Sequence, residues 1–245
     1  MHTKESLLKD LREMGLGPGH VALAHTSMKA IGEVEGRAGA VIDALMGAFP
    51  AGLLAMPTLT WSLADEAAPV FDVRRSKTDV GLLPEMFRNR PGVVRSWHPT
   101  HSLAAYGLGA RALTAADHLC GTPCGRKSGW HKLYERDAAI LMIGCTLTSC
   151  TFFHGIEEWC DVPGRLAEPV EFTVVTPKGQ RLAVTSAPHR GSPSEQYGKA
   201  EPALREAGAL ADGRFGNANV LVMSAAKTYD IVAAILAEDP GYFDG

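Results

Sequence analysis

The sequence predicts an α/β protein, and two patterns carry that prediction. Short apolar runs alternate with amphipathic segments of helical period along most of the chain. Two further segments, residues 170–176 and 181–186, alternate apolar and polar positions around the turn sequence Pro177-Lys178-Gly179-Gln180. The second pattern predicts a small β-hairpin lobe, inserted at about residues 165–195 of a single domain that spans residues 1–245.

The elements follow from local signals taken in order. Apolar residues at helical spacing predict a first helix that Gly15 ends, and Val21 to Ala24 form an apolar run typical of a buried strand. Residues 58–80 have no sustained period and predict a long loop. The other predicted helices are 37–49, 82–89, 111–118, 151–160, 195–209 and 228–238, and the other predicted strands are 53–56, 102–106, 138–144 and 219–223.

Length, composition and charge exclude several classes of protein. A chain of 245 residues with 46% hydrophobic and 21% charged residues has the balance of a folded globular protein. A formal net charge of -3 without a basic stretch argues against nucleic acid as a partner. No apolar run approaches the ~20 residues of a membrane-spanning helix, and the N-terminal residues lack the apolar core of a signal peptide. We therefore expect a cytoplasmic protein without a membrane partner.

The five cysteines are an odd number in a chain too large to need disulfides, which favours reduced thiols. Cys120 and Cys124, with His118 or His131 nearby, are the residues that could suggest a metal. Their C-x3-C spacing without a second pair is a poor zinc signature. We expect no metal.

Four polar clusters follow predicted strands, where open α/β sheets bind ligands. They are His25-Thr26-Ser27, residues 58–61, residues 95–102 and residues 151–158. In the last cluster, a helix places Glu157 three and Glu158 four residues after His154, within reach of its ring. A carboxylate that holds one imidazole nitrogen protonated leaves the other nitrogen as a base. The alternative is a surface His–Glu pair of little energetic weight.

The other clusters have two interpretations each. Hydroxyls and free amides of His25-Thr26-Ser27 could hold an anion, or they could simply form a turn and cap a helix. The run from Arg95 to Ser102 combines a cation, histidines and hydroxyls, which suits a phosphate or thioester tail. A solvated loop is the alternative.

Taken in order, these clusters resemble the antibiotic N-acetyltransferase family, known for the aminoglycoside 3-N-acetyltransferases. The resemblance covers about residues 3–240. The matching segments are Gly17 to Val21 into His25-Thr26-Ser27 with Ile31-Gly32, Met56-Pro57-Thr58, Gly81 to Phe87, Arg95 to Pro99 with Ser102, Leu141 to Gly144, and Thr151-x-x-His154-x-x-Glu157.

The resemblance implies an α/β/α sandwich with a central mixed sheet and direct transfer of acetyl from acetyl-CoA to the 3-amino group of an aminoglycoside antibiotic. His154 would be the general base, Glu157 would orient its ring, and Thr151 could hydrogen-bond the developing oxyanion. The residues expected to line the CoA channel are His25, Thr26, Ser27, Arg95, Ser96, His98 and Ser102.

The acceptor is a separate question because polycationic aminoglycosides need an acidic pocket. Residues 186–196, after the hairpin, contain one acid, Glu195, and one fixed cation, Arg190. Asp65, Glu158 and His189 are therefore the candidates for acceptor binding, and His189 could partner His154.

Three other functions remain open at this point: an N-acetyltransferase acting on a non-aminoglycoside amine, an acyltransferase or hydrolase with Cys120, Cys124 or Cys145 as nucleophile, and a CoA-binding module without turnover. The oligomeric state is also open, with a homodimer among the possibilities.

Overall fold

Ten strands form two sheets in the computed structural model, which describes residues 1–245. In chain order they are β1 (Val21–Thr26), β2 (Leu53–Pro57), β3 (Val70–Asp72), β4 (Val94–Arg95), β5 (Leu103–Gly107), β6 (Ala139–Ile143), β7 (Val170–Val175), β8 (Arg181–Ser186), β9 (Leu210–Phe215) and β10 (Ala218–Ser224). The central sheet has the order β4-β5-β2-β1-β6-β10-β9. β1 is parallel to β2 and β6, and the other pairs are antiparallel, so the sheet is mixed.

Helices cover both faces of the central sheet. They are α1 (Lys4–Glu13), α2 (Met28–Ile31), α3 (Arg37–Ala48), α4 (Leu82–Phe87), α5 (Ala110–Thr114), α6 (Gly129–Glu135), α7 (Phe152–Trp159), α8 (Glu201–Glu206) and α9 (Ala225–Glu238). Buried residues of α1, α3 and α4 form one apolar core with the sheet, and those of α5, α6, α7 and α9 form a second. The predicted α/β/α sandwich is confirmed. None of these helices has both the length and the apolarity to span a bilayer.

Burial on two faces explains why the central strands are continuous apolar runs. In β1, Leu23 belongs to one core, whereas Ala22 and Ala24 belong to the other. The neighbouring strand β6 divides its residues in the same way, with Met142 on one side and Leu141 on the other. Alternate side chains point to opposite faces, so every position of such a strand must be apolar.

The lobe is larger than the predicted hairpin. β7 and β8 pair as expected, and β3 adds a third strand parallel to β7. β3 comes from residues 58–80, which also contain a 3-10 helix, Trp61–Asp65, so the prediction of a plain loop is wrong for these parts. Three residues are too few to show a period in sequence.

Two predicted helices also need correction. The segment 195–209 is a 3-10 helix, Pro193–Ala200, followed by the short α8, and no local pattern predicted β9 after it. β9 is an edge strand with an exposed middle, so it lacks an apolar run. The predicted helix 111–118 ends at Thr114, because Ala115 is extended, with a ψ of 145°, and Ala116 then adopts a positive φ of 72°.

The carboxyl ends of the parallel strands β1, β2 and β6 meet at one edge of the sheet. The chain turns sharply after β6 at Gly144, whose φ is +69°. A Cβ at this position would lie 2.3 Å from the Cβ of Ala30 in α2. Only glycine combines that conformation with so close an approach.

Candidate active site

A cavity of about 1200 Å³ lies between this edge of the sheet and the lobe. The turn after β1, the start of α7 and the segment after β8 all contribute to its wall. Of the predicted site residues, those that line it are His25, Thr26, Ser27, Asp65, Thr151, His154 and His189. Residues from four distant parts of the sequence thus meet around one space.

Arg95, Ser96, His98 and Ser102 do not line the cavity, which corrects the expectation that they do. The Arg95 guanidinium donates to the carbonyl oxygens of Thr58 at 2.7 Å and Ser76 at 2.6 Å. These bonds tie the end of β2 to the chain that follows β3. The charge therefore holds the lobe segment against the sheet rather than facing a ligand.

The other three side chains of this run are buried and have partners inside the protein. Ser96 Oγ accepts from the backbone N–H of Leu103 at 3.0 Å, and Ser102 Oγ donates to the Thr58 carbonyl at 2.7 Å. His98 Nδ1 accepts from the N–H of His101 at 3.0 Å. Burial lowers the pKa of His98 to about 3, which keeps its ring neutral.

His154 is held in a chain of three side chains. Its Nδ1 lies 2.6 Å from the hydroxyl of Tyr197, and that hydroxyl donates to Glu157 Oε2, also at 2.6 Å. Burial and the neighbouring Glu157 charge raise the pKa of Tyr197, so the phenol keeps its proton. Since that proton goes to Glu157, the Tyr197 oxygen accepts the Nδ1 proton of His154. Nε2 of His154 is left with a lone pair.

Glu157 is buried and has further charge compensation. Arg165 Nε donates to its Oε1 at 2.6 Å, while Oε2 lies 3.5 Å from His154 Nδ1. The carboxylate is thus fixed by a guanidinium on one side and by Tyr197 on the other. Its influence on His154 passes mainly through the tyrosine, because the direct distance exceeds a hydrogen bond.

Glu158 faces a different histidine. Its Oε1 lies 2.6 Å from His189 Nε2 and accepts from the N–H of Cys124 at 2.9 Å. Burial raises the pKa of Glu158 to about 7 and lowers that of His189. The His189 ring stacks on that of His154, with centroids 4.3 Å apart. Glu158 does not line the cavity, so it supports His189 from behind.

The end of β1 and the turn after it line the cavity. His25 Nε2 and Thr26 Oγ1 are buried without a hydrogen-bond partner in the protein, so these two atoms are not themselves exposed to the cavity. Burial lowers the pKa of His25 to about 4, so the ring is neutral. Ser27 caps α2, accepting from the N–H of Ala30 at 3.4 Å, which matches the capping alternative for this residue. Lys29 is the one lysine or arginine that lines the cavity.

Thr151 precedes α7 and stands one helical turn before His154. Its side chain makes no capping hydrogen bond to the helix, and it lines the same cavity. The spacing that the sequence suggested therefore places a hydroxyl and an imidazole on one wall.

The cysteines give no support to a thiol nucleophile. Cys145 lines the cavity, but burial raises its pKa to about 12. Burial also raises the pKa of Cys120 to about 11 and holds that of Cys124 well above its usual value. A thiolate is the reactive form, and these thiols are protonated near neutral pH. Ligand atoms of Cys124, Glu158 and His189 lie within 4.8 Å of one another. In this group the carboxylate and the imidazole already hydrogen-bond each other.

Comparison with known proteins identifies the family. Residues 23–237 match the family model described as aminoglycoside 3-N-acetyltransferase. The chain belongs to this family. Aminoglycoside N(3)-acetyltransferase VII of Streptomyces paromomycinus is 36% identical over 181 residues, which are 66% of this chain and 62% of the relative. Aminoglycoside N(3)-acetyltransferase III of Serratia marcescens is 30% identical, with 74% and 73% covered. The match thus spans less than two thirds of the first relative's length.

Family members of known structure share the fold. AAC-IIIb, in a binary complex with CoASH, superimposes with a TM-score of 0.84 at 27% identity, covering 96% of each chain. An alanine mutant of AAC(3)-IVa in complex with a gentamicin gives 0.87 at 27% identity, covering 99% of this chain and 91% of that one. The YokD protein of Bacillus subtilis gives 0.86 at 26% identity, covering 97% and 94%.

Proposed function

We propose that this protein transfers the acetyl group of acetyl-CoA to an amino group of an amino sugar, with His154 as general base. The observation that carries the proposal is the hydrogen-bond chain from Glu157 through Tyr197 to His154 Nδ1, which leaves Nε2 as a base in the cavity. Membership of the family suggests the 3-amino group of an aminoglycoside as the acceptor. An amine that is not part of an aminoglycoside is the second candidate.

The donor is proposed from the family and from the cavity wall at the end of β1. A family member of the same fold binds CoASH. In this chain, His25 and Thr26 line the cavity at that point, and Lys29 offers a positive charge on the same wall. Polar groups and a cation suit the amides and phosphates of CoA. Thr26 and Lys29 are accordingly proposed as donor contacts.

The proposed reaction is a direct transfer. An ammonium group cannot attack a thioester, so the acceptor amine must first lose a proton to the solvent. Its nitrogen then attacks the acetyl carbonyl, and His154 Nε2 takes a second proton from it. The C–S bond breaks, and the thiolate of CoA receives that proton from His154. The Thr151 hydroxyl is proposed to donate to the carbonyl oxygen as negative charge develops there.

Replacing His154 tests the base. We expect His154→Ala to lower kcat for CoA thiol release by about 10²–10⁴-fold, because it removes the group that accepts the proton. The KM for acetyl-CoA should stay within about twofold, since His154 is not proposed to hold the donor. The exposed His20 supplies a matched control, His20→Ala.

Two results would contradict the assignment. Wild-type turnover by His154→Ala would show that His154 is not the base, and an equal loss of acetyl-CoA binding would make it a donor contact. Intact mass after incubation with acetyl-CoA separates the cysteine alternative, since an acetylated enzyme would indicate an acyl-enzyme instead of direct transfer.

A further inference from the structure

The cavity around His154 carries few free negative charges. Asp65 and Glu168 are the acidic residues among those that line it, and both are exposed to solvent at its rim. Lys29 contributes a positive charge to the same wall. The formal balance of the lining, with histidines neutral, is therefore a single negative charge.

The two acids nearest His154 are already engaged. Glu157 accepts from Arg165 and from Tyr197, each at 2.6 Å. Glu158 Oε1 lies 2.6 Å from His189 Nε2 and accepts from the Cys124 N–H, whereas its buried Oε2 has no partner in the protein. Neither side chain lines the cavity. An ammonium group of a bound molecule thus finds no buried carboxylate on the cavity wall near the base.

The neighbouring histidines cannot replace a carboxylate. Burial lowers the pKa values of His25, His101 and His189, all of which line the cavity, so their rings are neutral. A neutral imidazole can hydrogen-bond an ammonium group but does not neutralise it. Each additional ammonium brought into such a site loses hydration without gaining an ion pair.

Hydroxyl groups replace charge on both sides of His154. Thr148, Ser149 and Thr151 lie on the wall that leads into α7, and Ser192 and Ser194 lie on the lobe side. A hydroxyl both donates and accepts a hydrogen bond, as the hydroxyls of a sugar do. The cavity therefore matches a molecule with many hydroxyl groups and few ammonium groups.

We infer that the acceptor is an amino sugar or aminocyclitol with one or two amino groups, and that polycationic aminoglycosides are poor acceptors. This inference rests on the proposed acetyl transfer and narrows its acceptor. Two features of the cavity together support this class of acceptor: it has few free carboxylates, and hydroxyl groups line its walls.

Ser194→Asp offers a direct test of the charge argument. Ser194 is partly buried, lines the lobe side of the cavity and occupies the first turn of the 3-10 helix Pro193–Ala200. An acidic residue is favourable near a helix N-terminus, so the fold should tolerate the carboxylate. Ser194→Asn is the matched control, because asparagine has nearly the shape of aspartate but carries no charge.

The experiment measures kcat/KM for CoA release with D-glucosamine, 2-deoxystreptamine and gentamicin. In the wild type, we expect either small acceptor to exceed gentamicin by tenfold or more. Ser194→Asp should raise the ratio of kcat/KM for gentamicin to kcat/KM for glucosamine about tenfold, because the new carboxylate can form an ion pair with an ammonium group of gentamicin. Ser194→Asn should leave that ratio unchanged. The gain should shrink as salt rises from about 0.05 M to about 0.5 M, because salt screens the new charge.

The possible outcomes distinguish a wrong acceptor from a wrong assignment of acetyl transfer. A wild-type preference for gentamicin, or equal ratios for the two Ser194 variants, would overturn the inference while leaving acetyl transfer intact. No release with any of the three amines would also overturn it. Failure of calorimetry to detect acetyl-CoA binding would overturn the proposed function itself.

Discussion

Tyr197 links His154 and Glu157 through two hydrogen bonds and so orients the imidazole ring. His154 and Glu157 are one helical turn apart, yet Nδ1 of His154 and Oε2 of Glu157 are 3.5 Å from each other. The phenol between them makes two hydrogen bonds of 2.6 Å and fixes which imidazole nitrogen carries the proton. In the proposed reaction, its role is therefore to orient the base and not to contact the acceptor.

Removing that hydroxyl tests the assignment. We expect Tyr197→Phe to lower kcat by about 10–100-fold, the loss typical when outer partners of metal-bound histidines are removed. KM for acetyl-CoA should hardly change, because Tyr197 is fully buried and does not line the cavity. Steady-state kinetics measures both, and Tyr242→Phe, which removes a hydroxyl bonded to the Lys199 carbonyl, is the control. A parallel rise in KM would instead indicate a distorted cavity.

At this scale the sequence identified the local pair and missed its long-range partners. Helical spacing alone linked His154 to two acids, and it could not say which one matters. Tyr197 lies 43 residues away from His154, in a segment with no distinguishing pattern. Arg95, His98 and Ser102 illustrate the reverse error, since a polar run satisfied inside the protein looks the same in sequence as one that faces a ligand.

The end of β6 shows how an element shapes the site. Gly144 turns the chain with a positive φ and lets α2 approach its backbone closely. The same residue lines the cavity between the strand and the Cys145 thiol. The position of the cavity wall thus depends on the absence of a side chain.

A methyl group at Gly144 should be costly. We expect Gly144→Ala to lower the free energy of unfolding by about 2–4 kcal/mol, because the backbone conformation is strained for alanine and the new Cβ meets Ala30. Urea unfolding measures the loss. Gly121→Ala is the control, since a Cβ there has no atom within 4 Å. Equal stability of the two variants would contradict this account.

Strands with two buried faces were predictable, and exposed or very short ones were not. β2 and β6 are apolar throughout, β1 is apolar up to Ala24, and all three were recognised near their observed bounds. β9 alternates irregularly because its middle residues face solvent, and β3 has three residues. Their existence depends on pairing with β10 and β7, which no local pattern records.

Several buried histidines and acids determine how the stability of the whole molecule depends on pH. Burial lowers the pKa of His25 to about 4 and of His98 to about 3, and lowers those of His101 and His189 as well. Between these values and about 6.5 the unfolded chain binds more protons, so stability rises with pH. Burial raises the pKa values of Asp117 and Glu158 to about 7, which has the opposite effect. Because four histidines make stability rise with pH and only two acids oppose them, the net effect is a rise in stability with pH.

We therefore expect the free energy of unfolding to rise from about pH 4.5 to about pH 6.5. His98→Asn keeps an acceptor for the two backbone N–H groups and removes one titrating ring. Between about pH 5 and pH 6 it should reduce the slope by about 1 kcal/mol per pH unit, close to one proton's worth. Ser186→Ala removes the Nε2 partner but keeps the ring, so its slope should match the wild type. Equal slopes for His98→Asn and the wild type would refute this origin of the pH dependence.

The lobe is assembled from pieces of chain that lie about a hundred residues apart. β3 completes the sheet of β7 and β8, and Arg95 fastens the chain after β3 to the end of β2. The lobe is consequently not an exchangeable module. A chimera that imports only the hairpin of a relative would leave β3 paired with a foreign strand. We therefore expect a change of acceptor specificity to require that residues 58–80 and 165–195 be exchanged together.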